Sequence, residues 1–209
     1  MTRPEETTTA ILAFLALFFA AAADAAPRTY TISPDGKNAA SFRIDDAIER
    51  IDGTTTKVSG SVVADAENAA ASTVDLRVEL ASLDTGISLR NQHVRERFLE
   101  TSKYPYARFK SVGVKAPSTA IAPNNPADID VTGDFTMHGV TRRITVPVRV
   151  VVIPESDLTK STRGPGDWIH ATATFSVRLA DYDVHVPDTF LVNTADPIPV
   201  RIDVFANAR

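Results

Sequence analysis

The sequence contains no cysteine, which excludes a disulfide framework, a thiolate metal site, a cysteine nucleophile and the lipidated cysteine of a bacterial lipoprotein. Charge of one sign is also lacking: 22 basic residues against 26 acidic ones leave a formal net charge of −4, without the basic excess that nucleic-acid binding requires. Tryptophan occurs once and methionine twice, so the interior must be filled mostly by aliphatic side chains. Beyond residue 25 no uncharged apolar run reaches the ~18 residues needed to span a bilayer.

The one long apolar run is Ala10 to Ala23, followed by Ala23-Asp24-Ala25 with small residues at the two positions read by signal peptidase. Residues 1–25 are therefore expected to be a signal peptide and residues 26–209 a single domain. The mature protein is expected in the periplasm or secreted, with no stable membrane anchor after cleavage. Arg3 is offset by Glu5 and Glu6, so the usual cationic start is missing, which leaves retention of the segment as an anchor open.

After residue 25 the dominant period is two. Ala40, Phe42 and Ile44 alternate with polar residues, as do Val74, Leu76, Val78 and Leu80, and as do Ile129, Val131, Gly133, Phe135 and Met137. Each such strand has one dry face and one wet face. Further strands are expected at residues 30–33, 57–64, 106–114, 143–153, 168–179 and 199–205. Exposed loops are expected at 116–127 and 154–167, where Pro and Gly cluster. A single helix is expected from about Ser88 to Leu99, with Ile87, Asn91, Val94 and Phe98 on one side and a cationic stripe of Arg90, His93 and Arg97 beside it.

Eight or nine strands with one dry face each favour an all-β chain closed into an antiparallel eight-stranded β-barrel, because closure removes the edges. A two-sheet sandwich satisfies the same alternation. The dry faces carry mainly Val, Ile, Leu, Ala and Gly, a lean filling that suits an elongated apolar cavity and equally a closely packed core. Composition alone leaves both open.

Three blocks carry a specific likeness. They are Leu83-Asp84-Thr85 with Arg90-Asn91-Gln92-His93-Val94 and Phe98-Leu99; Lys103-Tyr104-Pro105 with Phe109; and the run Val131 to Thr141, which ends Met137-His138-Gly139-Val140-Thr141. Together they resemble the YceI-like family of exported lipid-binding proteins, over about residue 30 to the C-terminus. The resemblance implies a lipocalin-like barrel with a short helix near one end, whose channel takes a polyisoprenoid, an isoprenoid quinone or another long amphiphile. Two departures bear on the ligand more than on the fold: Asn91 stands where the family usually has Asp, and residues 45–60 lack the family's His and aromatic residues.

On that reading the channel-lining candidates are Phe42 and Ile44, then Leu76, Val78 and Leu80, then Val131, Phe135 and Met137, then Phe175 and Val177, and finally Ile202 and Val204. Arg90, His93 and Arg97 are candidates for holding a polar head group. Such residues also serve to fasten a helix to strand ends or to spread their stems over apolar surface. His138, at a strand end, is expected to be exposed or to stabilise a turn.

No catalytic motif is found. Ser59-Gly60-Ser61 lies in a strand pattern without a nucleophile elbow, and no His or carboxylate spacing matches a metal site. A binding protein for a long apolar molecule, without cofactor, metal or nucleic acid, is therefore expected. A lipid-modifying enzyme using His93 as a base, and a structural domain with a filled core, are the alternatives. A homodimer through an exposed edge or apolar rim is left open.

Overall fold

A computed structural model describes residues 26–34, 37–45, 49–187 and 197–208. The expected export segment, residues 1–25, lies outside the described residues. Alternation of dry and wet side chains generates ten strands, β1 (Arg28–Ile32), β2 (Ala39–Asp45), β3 (Arg50–Thr55), β4 (Val58–Ala64), β5 (Thr73–Glu79), β6 (Tyr106–Lys115), β7 (Ala127–Met137), β8 (Val140–Ile153), β9 (Asp167–Val177) and β10 (Ile198–Ala208). All pairings are antiparallel, and the order β1-β4-β5-β6-β7-β8-β9-β10 returns to β1 through Thr31 opposite Asn207. The result is the closed eight-stranded barrel expected from the lack of edges, not a sandwich.

Two staves of this barrel are bent. Along β10, β1 pairs at Asn207 and β2 takes over at Asp203 to Val200; β4 pairs with β1 while β3 pairs with β2. The break between β1 and β2 is bridged by Asn38, 2% exposed, whose amide donates to the Ser33 carbonyl at 2.6 Å and whose oxygen accepts the Phe205 N–H at 2.8 Å. A buried side chain thus satisfies a ladder donor that the bend would orphan.

The upper end of the barrel, where β7 turns into β8, is covered by α1 (Ser88–His93), which continues as one wider turn over Val94–Phe98. Val94, Phe98 and Leu99 pack there with Leu80, Leu83, Phe135, Met137 and Val177. A second cluster, with Tyr30, Ile32, Val58, Val150, Ile169 and Val204, occupies the lower half.

Two elements were not expected from the sequence. β3 is not among the strands expected, because its inward positions are Ile51, Gly53 and Thr55, only one of them a bulky apolar residue. The loop 154–167 contains α2 (Asp157–Arg163), fixed by a capping box in which Ser156 and Thr159 satisfy each other's backbone. Leu158 is 72% exposed, so α2 has no apolar stripe from which a period could be read.

Candidate functional site

The inward faces enclose a cavity of about 1120 Å³ that runs past residues from both core clusters. All twelve channel candidates border it: Phe42, Ile44, Leu76, Val78, Leu80, Val131, Phe135, Met137, Phe175, Val177, Ile202 and Val204. The interior is therefore hollow, which composition had left open. Volume is freed partly by where the aromatic rings go. Phe42 lies against Gly53, where an added Cβ would sit 2.2 Å from Cε1, and Phe109 lies against Gly133, where it would sit 2.5 Å from Cζ. Phe135 meets Phe175 and Tyr182 edge to face, at 5.7 and 5.3 Å between centroids, so the rings gather at the upper wall. Lower down the lining is aliphatic and small, with Val62, Ala64, Ile129, Val152, Ile169 and Ala171.

At the upper end, α1 is tied to the segment before it. Asn91, 9% exposed, accepts the Thr85 N–H and hydroxyl at 2.8 and 2.7 Å and donates to Asp84 Oδ1 at 2.7 Å. That amide, followed by the Gly86 N–H, holds the Asp84 carboxyl below the usual carboxylate range. Arg90 borders the cavity, but its guanidinium donates to the Thr85 hydroxyl and carbonyl, both at 3.0 Å, and to Glu49 at 2.8 Å. His93 also borders the cavity, whereas Arg97 is exposed and does not. The three residues of the stripe are thus separated: two reach the channel, and one of those is engaged in holding its own turn. Ile87 and Leu89, 49% and 62% exposed, complete this rim with apolar surface.

His138 and Gly139 form the two-residue β7–β8 turn, with φ of 52° and 79°, the left-handed pair such a tight hairpin demands. The His138 ring contacts the Tyr182 carbonyl at 3.2 Å and Glu100 at 3.1 Å, and meets the Tyr104 ring edge to face. It stabilises a turn, one of the two roles expected of it. The blocks Lys103-Tyr104-Pro105 and Met137-His138-Gly139 therefore meet in space: Tyr104 leaves no room for a Cβ on Gly139, the nearest ring atom being 2.7 Å away.

A polar group that sequence reasoning missed lies at the lower end. Arg28, Tyr30 and Ile32 share one parity on β1, and Asp167 shares parity with Ile169 and Ala171 on β9. Arg28 and Asp167 form an ion pair, Tyr30 is 4% exposed, and all three border the cavity. The separation of 139 residues between Arg28 and Asp167 hides their pairing from any local pattern; only the inward parity of each hints at it. Among the described residues no group of three or more His, Asp or Glu side chains is placed to hold a metal ion.

A closed antiparallel barrel, hollow along its axis and walled by aliphatic side chains, defines a lipocalin-like protein. The YceI-like domain model matches residues 30–206, and the chain belongs to that family. It is 34% identical over 143 residues to the YceI protein of an Escherichia coli strain, covering 67% of this chain and 70% of that one. Solved structures share its fold, two among them in particular. One is BcnA of Burkholderia cenocepacia, with a TM-score of 0.65 at 21% identity over 84% of this chain and 99% of that one. The other is a polyisoprenoid binding domain from Saccharophagus degradans implicated in plant cell wall breakdown, with a TM-score of 0.66 at 18% identity over 88% and 99%.

Proposed function

We propose that the protein is exported and holds a polyisoprenoid, an isoprenoid quinone or a similar long-chain amphiphile in its barrel, for sequestration or transport and not for chemical conversion. The observation that carries this reading is the apolar cavity of about 1120 Å³, of the size expected of a site for a large ligand. Burial of a methylene is worth about 0.8 kcal/mol. About twenty such groups give roughly 16 kcal/mol, which exceeds the ~4–15 kcal/mol cost of association. A chain that long is retained without any strong polar anchor. The family relation and the polyisoprenoid-binding neighbour support the same class of ligand. The twelve wall residues named above are the contacts we assign to the apolar chain.

The test is organic extraction of protein purified without detergent from the periplasm of its own host, followed by mass spectrometry. A stoichiometric isoprenoid or fatty amphiphile supports the carrier reading and names the ligand. An empty extract, reproduced after incubation with a panel of lipids, rejects it.

A further inference from the structure

We propose that the ligand's head group sits at the lower end of the channel, against the Tyr30 hydroxyl and the Arg28 guanidinium, and is an uncharged hydrogen-bond acceptor such as a quinone or ester carbonyl. This rests on the carrier reading above and adds the direction in which the ligand lies.

Three observations place the head group there. First, Arg28 and Tyr30 are successive inward positions on β1, so donors stand where the apolar wall ends. Tyr30 is 4% exposed yet borders the cavity. Burial, and then the nearby Asp167, push the Tyr30 pKa up, so the phenol keeps its proton and remains a donor. Second, the neighbouring wall is built from small side chains, Ala64, Ala69 and Ala171, which leave width for a ring. Third, at the upper end the Arg90 donors are engaged with Thr85 and Glu49, and Arg97 does not border the cavity.

Charge selects the class of head group. Arg28 is balanced by Asp167, and Asp65, a second carboxylate bordering this end, accepts the Glu67 and Asn68 N–H groups at 3.0 and 2.8 Å. The Arg28 guanidinium and the α-ammonium that cleavage leaves on Ala26 are matched by two carboxylates, so this end offers no net positive field for a phosphate or diphosphate. A guanidinium has five N–H donors. The Arg28 side chain is 64% exposed, so it has donors beyond the pair with Asp167, and the phenol adds one. That set suits a neutral carbonyl.

The experiment uses delipidated full-length mature protein and three probes: a ubiquinone carrying two isoprene units, the matching terpene hydrocarbon without the ring, and the matching prenyl diphosphate. Binding is measured by calorimetry for the wild type and for Tyr30→Phe, Arg28→Leu and His93→Gln, with thermal melts to show that each variant is folded. The expected result is a three- to tenfold loss of quinone affinity in Tyr30→Phe and in Arg28→Leu, the size of a lost hydrogen bond, with hydrocarbon affinity unchanged and His93→Gln like wild type. The carbonyl stretch of the bound quinone should also move to higher frequency in Tyr30→Phe. Equal weakening of quinone and hydrocarbon, no weakening in either lower-end variant, loss in His93→Gln, or tighter binding of the diphosphate than of the quinone overturns the assignment. If the wild type binds neither quinone nor hydrocarbon, the carrier reading itself fails and the head-group assignment falls with it.

Discussion

The Asn91 amide donates to the Asp84 carboxylate at 2.7 Å while its carbonyl oxygen accepts two hydrogen bonds from Thr85. Only an amide can do both, because a carboxylate at position 91 has no proton to give at neutral pH. Asn91→Asp, the residue usual in the family, would set two carboxylates face to face. In the wild type the Asp84 carboxyl is held below its ordinary range, so its contribution is present above the unfolded value and is lost as pH falls through the lowered one. In the variant, repulsion raises one carboxyl's pKa, so the penalty is full at neutral pH and fades as that group protonates. The expected outcome is a lower Tm than wild type at pH 7 and a narrower gap at pH 4, read from melts at both.

Val78→Trp tests hollowness directly. Val78 is 8% exposed, faces the cavity and lies opposite Val58 and Ala107. In a filled core such an enlargement costs about 1–3 kcal/mol. In a hollow one the indole occupies free volume, so Tm should hold or rise while the amount of lipid bound per protein falls. Unchanged lipid with an intact fold would remove Val78 from the channel.

Gly133→Ala is expected to act on both stability and capacity. Its Cβ would stand 2.6 Å from the Lys110 carbonyl oxygen and 2.5 Å from the Phe109 ring. The backbone contact cannot be relieved by rotating a side chain. The expected cost is about 1–3 kcal/mol, or a fall in Tm of about 2–12 °C for a domain of this size. Phe109 must also swing toward the bore and displace ligand. A melt and a lipid titration on the same sample check both.

The outer wall should behave differently. Arg108 on β6 forks onto Asp75 on β5, with its Nε donating at 2.9 Å, and that bond, followed in size by a smaller opposing effect of burial, keeps the Asp75 carboxyl below its ordinary range. The side chains are 53% and 38% exposed, so solvent screening limits the pair to less than about 1 kcal/mol. Asp75→Asn should lower Tm by no more than a few degrees near pH 7. The difference should vanish as pH drops below the usual carboxylate value toward the lowered one, where the wild type also loses the charge.

Much of this molecule is legible in the chain, and the parts that are not share a cause. Leu76, Val78, Val131 and Phe135 announce their face by simple alternation, and all four border the cavity. Met137-His138-Gly139 can be read as a strand end, and the hairpin follows from the left-handed conformation of its two central residues. β3 is silent because Gly53 replaces a bulky residue to make room for Phe42, a reason that exists only once both strands are side by side. α2 is silent because it is fixed by its own cap and not by an apolar face. The channel itself could not be read: whether aliphatic walls close on themselves depends on where Phe42 and Phe109 lay their rings. Arg28 and Asp167 meet only through the curvature of a completed barrel.

The bent stave at Asn38 has one more consequence. Long ladders knit β7 to β8 through eleven registered pairs and β9 to β10 through another eleven, but β1 meets β10 at one registered pair and then hands over to a carboxamide. A hoop under outward pressure yields at its thinnest stitch. Breathing of this barrel should therefore concentrate between β1 and β10, with amide exchange fastest around Phe205 among the β10 residues. A cargo too stout for the bore would find its easiest clearance there, beside Tyr30 and not beneath the helix.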